Sequence, residues 1–575
     1  MKIFSQVQKL VCVFFTLLLA CLFAFSFSCD LDNLNGDDDN GQSDDDDNSD
    51  DDELDAWGDD DEETKFYCGD GNETDDDTFD DDICDDDSYY DDDSYCDDDG
   101  YDDDSAGDDD DITDDDDDDA TPPDLECPDY TTPTVLYLSA DDSNSQAAPV
   151  VARAVIEQGG IVPADRIRTY EFTNYYDIRY TPPADKRINV VAQMRLREDA
   201  EYEHEYILQL VAQAHRVRFS DERPLNIVFC VDVSGSMSGT SIQLAKKVAN
   251  VIAGKLKNGD IVSIVAWNHQ THIILESYAV EGPCDPFLLE KIASLYASGS
   301  TNLHDGLVAA YEIAGKHDSP WRLSRVVLIS DGGLNTGITD LEIIAQHADD
   351  SEEEGIYLVG VGVGDPVYYY FDEVMDQVTD AGKGAYLFVD NLEEAERQFG
   401  WGFVRNMDIA ALDVQLELTM PYYLIMHRFY GEEYSPVPEE VEPQHLGPND
   451  AMVFHQYVVA CEPGLMDTGD VISVTANYID PFTYERKSDT HTDTIDELLQ
   501  ANADQLLKGD AIVTYAEALK QIDSLVYTNP AMALQVCQEA DSKVRAAAEL
   551  LQDQELIDIH HLLERYEQTL QHYID

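Results

Sequence analysis

The sequence predicts an α/β fold built on a doubly wound parallel sheet, flanked by a β-rich sandwich-like domain and a C-terminal helical segment. Three observations carry this expectation. Short apolar runs alternate with amphipathic helical stretches over 224–405. Strand-like runs follow one another over 408–490. Residues 30–128 form an Asp-rich arm that cannot bury enough apolar surface to offset its ordering entropy and is expected to be disordered.

The alternation begins at 226–231, an apolar run long enough for one buried strand. Helical spacing follows at Ile242, Ala245, Val248, Val251, Ile252 and Leu256. Further apolar runs occupy 261–267, 325–330, 356–363 and 385–389. Helices are expected between them at 285–296, 303–315, 339–349 and 370–380, and after them at 392–405. Strands that are apolar throughout must be covered on both faces, which is the pattern of a parallel sheet. A ligand crevice is then expected at the carboxyl ends of the strands.

Before this region, 135–139 reads as a strand and 147–158 as a helix stopped by Gly159-Gly160. An aromatic stretch at 168–182 leads to strands at 188–197 and 205–218. After it, 411–418, 422–430, 452–460 and 471–478 read as antiparallel strands. Residues 495–522 and 531–573 are expected to close the body as a helical hairpin. The expected boundaries are 1–29 for an export signal, 30–128 for the arm and 134–222 for an N-terminal extension packing on the β-rich part. They continue with 224–405 for the α/β domain, 408–490 for the sandwich-like domain and 494–575 for the C-terminal helices.

The formal net charge is −90, from 33 Lys and Arg against 123 Asp and Glu. Residues 30–120 carry about half of it, with Lys65 the only base among them. Nucleic acid is an excluded partner class, because phosphate binding needs basic clusters that this chain lacks. Dense carboxylates condense counterions, so diffuse Ca²⁺ binding on the arm is expected. Lys2 and Lys9 precede an apolar run from 10 to 27, which reads as an export signal. Cys21, after Leu18-Leu19-Ala20, and Cys29 are the candidates for lipidation in a bacterial lipoprotein. An uncleaved signal anchor and plain secretion are the alternatives, and all three place the body outside the cytoplasm. A membrane is then met only through this N-terminal lipid or anchor. Cys68, Cys84, Cys96 and Cys127, in or beside the arm, allow three disulfide pairings. Cys230, inside an apolar run, reads as a buried thiol.

The first strand of the alternating region ends in Asp232-Val233-Ser234-Gly235-Ser236. Three oxygen-bearing side chains at alternating positions in a Gly-containing turn can point to one small hard cation. Alone the motif is also an ordinary Asx turn. Two later loops join it. Ser298-Gly299-Ser300-Thr301-Asn302 precedes a helix, which Thr301 or Asn302 could equally cap. Ile329-Ser330-Asp331-Gly332-Gly333 ends a later strand. In this order the three loops resemble the metal-ion-dependent adhesion site of von Willebrand factor A domains, which are Rossmann-like doubly wound sheets. The resemblance covers 224–405. More loosely, the flanks resemble those of bacterial surface lipoproteins carrying this domain, through Thr173-Asn174-Tyr175-Tyr176 and Tyr180-Thr181-Pro182-Pro183.

The resemblance implies Ser234, Ser236 and Thr301 as direct metal ligands, with Asp232 and Asp331 acting through water. Mg²⁺ suits such a site, with Mn²⁺ or Ca²⁺ as substitutes. One coordination position would accept a Glu or Asp of a partner protein. The expected function is therefore metal-dependent protein binding in the cell envelope or at its surface, without catalysis. One alternative is an acidic, calcium-loading structural protein with a passive domain of this type. A metal-dependent hydrolase is the other, although no His-Glu-x-x-His or Gly-x-Ser-x-Gly motif occurs. His269, His272 and His304 lie near the crevice loops and read as surface or helix-capping residues.

Overall fold

The computed structural model describes residues 127–139, 145–197, 200, 202, 204–219, 223–319, 321–332, 355–366 and 384–574. The expected leader with Cys21 and Cys29, the arm with Cys68, Cys84 and Cys96, and the helices expected at 339–349 and 370–380 lie outside these residues. Among the described residues no helix is long and apolar enough to cross a membrane.

The chain enters through β1 (Thr134–Ser139), α1 (Ala147–Glu157), α2 (Thr169–Tyr175), β2 (Ile188–Leu196) and β3 (Glu205–Ala214). The central domain follows as β4 (Leu225–Asp232), α3 (Thr240–Lys255), β5 (Ile261–Trp267), β6 (Thr271–Ala279), α4 (Pro286–Ala293), α5 (Leu303–Ala314), β7 (Leu323–Ser330), β8 (Tyr357–Val363) and β9 (Tyr386–Val389). It ends in α6 (Leu392–Glu396), a π-helical turn at Arg397–Trp401 and α7 (Phe403–Met407).

The central sheet has the order β6-β5-β4-β7-β8-β9. All its neighbours are parallel except β6, which folds back on β5. The sequence hides β6 because its residues are mostly half-buried or exposed. Successive residues of β4 serve opposite faces. Ile227, Phe229 and Val231 pack with α3, Phe399 and Phe403. Val228 and Cys230 pack on the other side with α5. From β4 the chain moves outward to β5 and then crosses back to place β7 on the other side of β4. The reversal makes the carboxyl ends of β4 and β7 a topological switch point, the place where folds of this kind hold their ligands.

The remaining strands are β10 (Ala411–Met420), β11 (Leu424–Phe429), β12 (Glu433–Ser435), β13 (Gln444–Leu446), β14 (Ala451–Ala460), β15 (Val471–Ile479) and β16 (Arg486–Thr494). They form one sheet of order β12-β1-β10-β15-β16, with β13 also on β10, and a second of order β11-β14-β3-β2. One apolar core lies between them, from Leu136 and Leu138 of β1 and Leu208 and Leu210 of β3 to Leu416, Phe454 and Val474. The sandwich therefore draws three strands from before the central domain and seven from after it, and the central domain is an insertion between β3 and β10. Residues 134–214 are thus part of the sandwich itself.

Four helices complete the chain: α8 (Ile495–Gln500), α9 (Asp504–Val526), α10 (Pro530–Leu551) and α11 (Gln554–Ile574). The expected hairpin is a three-helix bundle. Its second break falls at Gln552, which takes the left-handed conformation at φ 54° without the glycine that usually marks such a stop. Lys508 beneath it pairs with Asp553 at 2.6 Å and Glu555 at 2.9 Å, which fixes the start of α11.

The three parts share one core. α1 lies on β9 of the central sheet, and Gln146 N–H donates to the Tyr386 carbonyl at 3.0 Å. Arg153 of α1 pairs with Asp390 at 2.8 Å and with Glu394 at 3.0 Å. Arg397 continues this network to Glu555 at 2.6 Å. Phe172 of α2 meets Tyr515 of α9 edge-on at 5.5 Å. Cys127, expected to pair within the arm, is instead bonded to Cys461 at the end of β14. Cys284 is also disulfide-bonded, while Cys230 and Cys537 are free and buried.

Cutting out 224–407 strips α1 from the face that carries Leu358, Tyr386 and Phe388. Such a fragment is expected to self-associate and to bind an apolar dye, unlike the intact chain. A monodisperse, dye-silent fragment in size-exclusion chromatography would show that the central domain is independent of its flanks.

Candidate functional site

Asp232 is the last residue of β4 and has no accessible surface. One carboxylate oxygen accepts the Ser234 backbone N–H at 2.8 Å, which closes the Asx turn expected from the motif. The other accepts the Ser330 hydroxyl at 2.9 Å. Burial pushes the Asp232 carboxyl up to about 6, against the pull of the Ser234 and Ser330 hydrogen bonds and with a further push from Asp331. Among the described residues, the largest influences on it are burial, Ser234, Ser330 and Asp331.

Ser234 and Ser236 follow in the turn, with hydroxyl oxygens 3.0 Å apart. Ser234 is buried and Ser236 is exposed, so the pair opens toward solvent. Gly239, at φ 86°, releases the chain into α3. The second loop is laced to the first through its backbone. Ser298 N–H donates to the Val233 carbonyl at 2.7 Å, and Gly235 N–H to the Gly299 carbonyl at 2.9 Å. Thr301, half-buried, stands two residues beyond Gly299. Neither Thr301 nor Asn302 is used up as a cap: Asn302 occupies the N-cap of α5 and makes no side-chain cap bond. The third loop begins with Asp331, which is 2% exposed at the end of β7. The Ser330–Asp232 bond and the push of Asp331 on Asp232 join the first and third loops.

Several supporting residues escape the sequence reading. Ser330 donates to Asp232 and accepts the Gly332 N–H at 3.2 Å. Its place directly before Asp331 was the available signal. Asn268, just past β5, donates through Nδ2 to the Ser298 carbonyl at 2.7 Å and accepts the Gln270 N–H at 2.9 Å, which clamps the β5–β6 turn to the second loop. Gly299 suits this place chiefly through its backbone. Its φ is +85°, and a Cβ there would sit 2.5 Å from His269 Nδ1. His269 is exposed and leans on this loop. Beneath the loops, Trp267 is fully buried against Gly306 of α5, and its carbonyl accepts the Val233 N–H at 2.8 Å.

The donor set fits a small hard cation. Two buried carboxylates and three hydroxyls supply oxygen alone, as Mg²⁺ prefers. A buried carboxyl raised by desolvation is the group that a nearby cation returns to its charged form. Among the described residues no cluster of three or more His, Cys, Asp or Glu could hold a metal, so a site here depends on its hydroxyls.

Residues 227–333 match the family model of the von Willebrand factor type A domain. Uncharacterized protein YfbK of Escherichia coli is 30% identical over 290 residues, which cover 49% of this chain and 50% of that protein. Inter-alpha-trypsin inhibitor heavy chain H3 of Mus musculus is 28% identical over 226 residues, covering 36% of this chain and 25% of that one. The chain spans about half the length of the first curated relatives it matches. A solved von Willebrand factor type A structure from Catenulispora acidiphila aligns at TM-score 0.41 and 15% identity, covering 63% of this chain and 88% of that one.

Ser330→Ala removes a hydrogen bond from a buried carboxylate and leaves the β7 backbone intact. It is expected to weaken Mg²⁺ binding by about tenfold or more and to lower stability by about 1–2 kcal/mol. Unchanged Mg²⁺ affinity in calorimetry would remove Ser330 from the site's support.

Proposed function

We propose that this chain, with a von Willebrand A-type domain at its centre, binds a partner protein through a divalent cation held by Ser234, Ser236 and Thr301. The observation that carries this reading is the convergence of three loops on Asp232, which is buried and hydrogen-bonded from two of them. In the charged form Asp232 and Asp331 orient the hydroxyls and water around the ion. A bound Mg²⁺ supplies Lewis acidity toward a carboxylate oxygen. Ser236 lies on the solvent side, where a Glu or Asp of the partner has access. The backbone lacing at Val233, Gly235, Ser298 and Gly299 holds the donors in place before binding, so little ordering entropy remains to oppose it.

We infer an exported protein of the bacterial cell envelope or surface, tethered through its N-terminal segment. Lys2, Lys9 and the apolar run after them support export. The Cys127–Cys461 disulfide and the bonded Cys284 support an oxidising compartment. We read the site as binding rather than catalysing, since metal-site chemistry here is paired with no nucleophile motif.

The test is calorimetric titration of the intact chain and its Asp232→Ala variant with Mg²⁺. Diffuse binding to the acidic arm contributes equally to both. Wild type is expected to exceed the variant by one saturable site. Superimposable isotherms would contradict the metal site, and ester or peptide hydrolysis lost in Asp232→Ala would replace binding by catalysis.

A further inference from the structure

Cys127 stands at the root of the N-terminal segment, and only residues 128–133 separate it from β1. Its partner Cys461 directly follows β14, 334 residues later. β1 and β14 belong to different sheets of the sandwich. The bond therefore joins one point of the chain to both sheets. Cys461 is itself held at the end of its sheet, where its N–H donates to the Tyr423 carbonyl at 2.9 Å.

The two ladders that meet at this point differ in length. β1 pairs with β10 from Thr134↔Met420 to Leu138↔Leu416, five positions, and has β12 on its other side over three. β14 pairs with β3 from Ala451↔Gln213 to Val459↔Glu205, nine positions, and has β11 on its other side. The central domain connects to the sandwich through the partners of these two strands. The chain enters the domain from the end of β3 and leaves it into the start of β10. Cys461 and Ala214, where β3 ends, lie at opposite ends of the β14–β3 ladder. Thr134 and Ala411, where β10 starts, likewise lie at opposite ends of the β1–β10 pair. Tension between the root and the central domain is thus directed along the strands. It loads the rungs of each ladder together rather than one after another. With the bond in place both ladders share that load, whereas without it the load falls first on the shorter one.

We propose that the Cys127–Cys461 disulfide is a load-bearing link. It passes tension from the N-terminal segment into both sheets and keeps the sandwich folded while a partner held at the metal loops is pulled. This rests on the partner-binding reading of those loops and on the N-terminal tether, since an anchored protein that holds a partner is pulled at these two places. A cross-link acting only through the unfolded chain would strengthen the protein against every direction of pull. The strand geometry restricts the effect to one direction.

The experiment applies force to single molecules of the full chain and needs neither metal nor partner, so its failure leaves the metal site standing. One handle is at the N-terminus. The other is an azide-bearing residue at position 243, where exposed Gln243 stands on α3 just after the first metal loop. The first rupture of oxidised molecules is expected at about one and a half times the force seen under reductant, because forced unfolding follows the barrier of the loaded structure. The double variant Cys127→Ser, Cys461→Ser is expected to match the reduced molecules, and reductant on the wild type covers the case in which the variant misfolds. Pulled instead between position 243 and the C-terminus, oxidised and reduced molecules are expected to rupture alike. Equal forces in the N-terminal geometry, an equal gain in both geometries, or a folded variant that ruptures as the oxidised wild type would overturn the proposal.

Discussion

A carboxylate without accessible surface must be compensated locally or hold its proton. Asp232 is such a group, and the arrangement around it follows from that constraint. Burial raises its carboxyl from 3.8 to about 6, which corresponds to about 3 kcal/mol against the charged form. Hydrogen bonds from Ser234 and Ser330 oppose the shift and the neighbouring Asp331 adds to it. A chain that keeps two buried carboxyl groups this close together retains a cost that a cation can reverse. The proposed function places that cation at the hydroxyls of buried Ser234 and exposed Ser236, 3.0 Å apart.

The rest of the molecule holds this point still. The switch in strand order sets β4 beside β7, so that Asp232 and Ser330 meet. Trp267 under the loops, Asn268 beside them and Gly299 across from them fix the second loop against the first. At the other end, insertion between β3 and β10 anchors the domain on both sides. α1 and the Arg153–Glu394 pair cover the β9 edge, and Arg397–Glu555 joins the domain to the C-terminal bundle. The domain shares one apolar core with the sandwich and the bundle.

Much of the central domain was legible in the sequence, because buried parallel strands read as continuous apolar runs and helices as steps of three and four. The three loops were legible because each ends or begins such an element. What escaped was set by distant partners. β16 escaped because its residues, Arg486 to Thr494, show no apolar alternation, yet it pairs along its full length with β15. The membership of β1 and β3 in the sandwich depends on partners more than 200 residues away, and β2 follows through its pairing with β3. Cys127 looked like one of four arm cysteines, and its bond to Cys461 is fixed by where β14 ends. The break at Gln552 lacks a glycine and rests on the ion pairs of Lys508. In the site, the hydroxyls and carboxylates were readable, whereas the bond that positions them, Ser330 to Asp232, emerges only from strand pairing.

The most direct test of the account is a crystal structure of the protein grown with Mn²⁺, with the ion located by its anomalous scattering. The account predicts one strong peak bonded to the side-chain oxygens of Ser234, Ser236 and Thr301, with Asp232 and Asp331 reaching it through water. A fully occupied peak elsewhere in the described body, with none between these three loops, would contradict it.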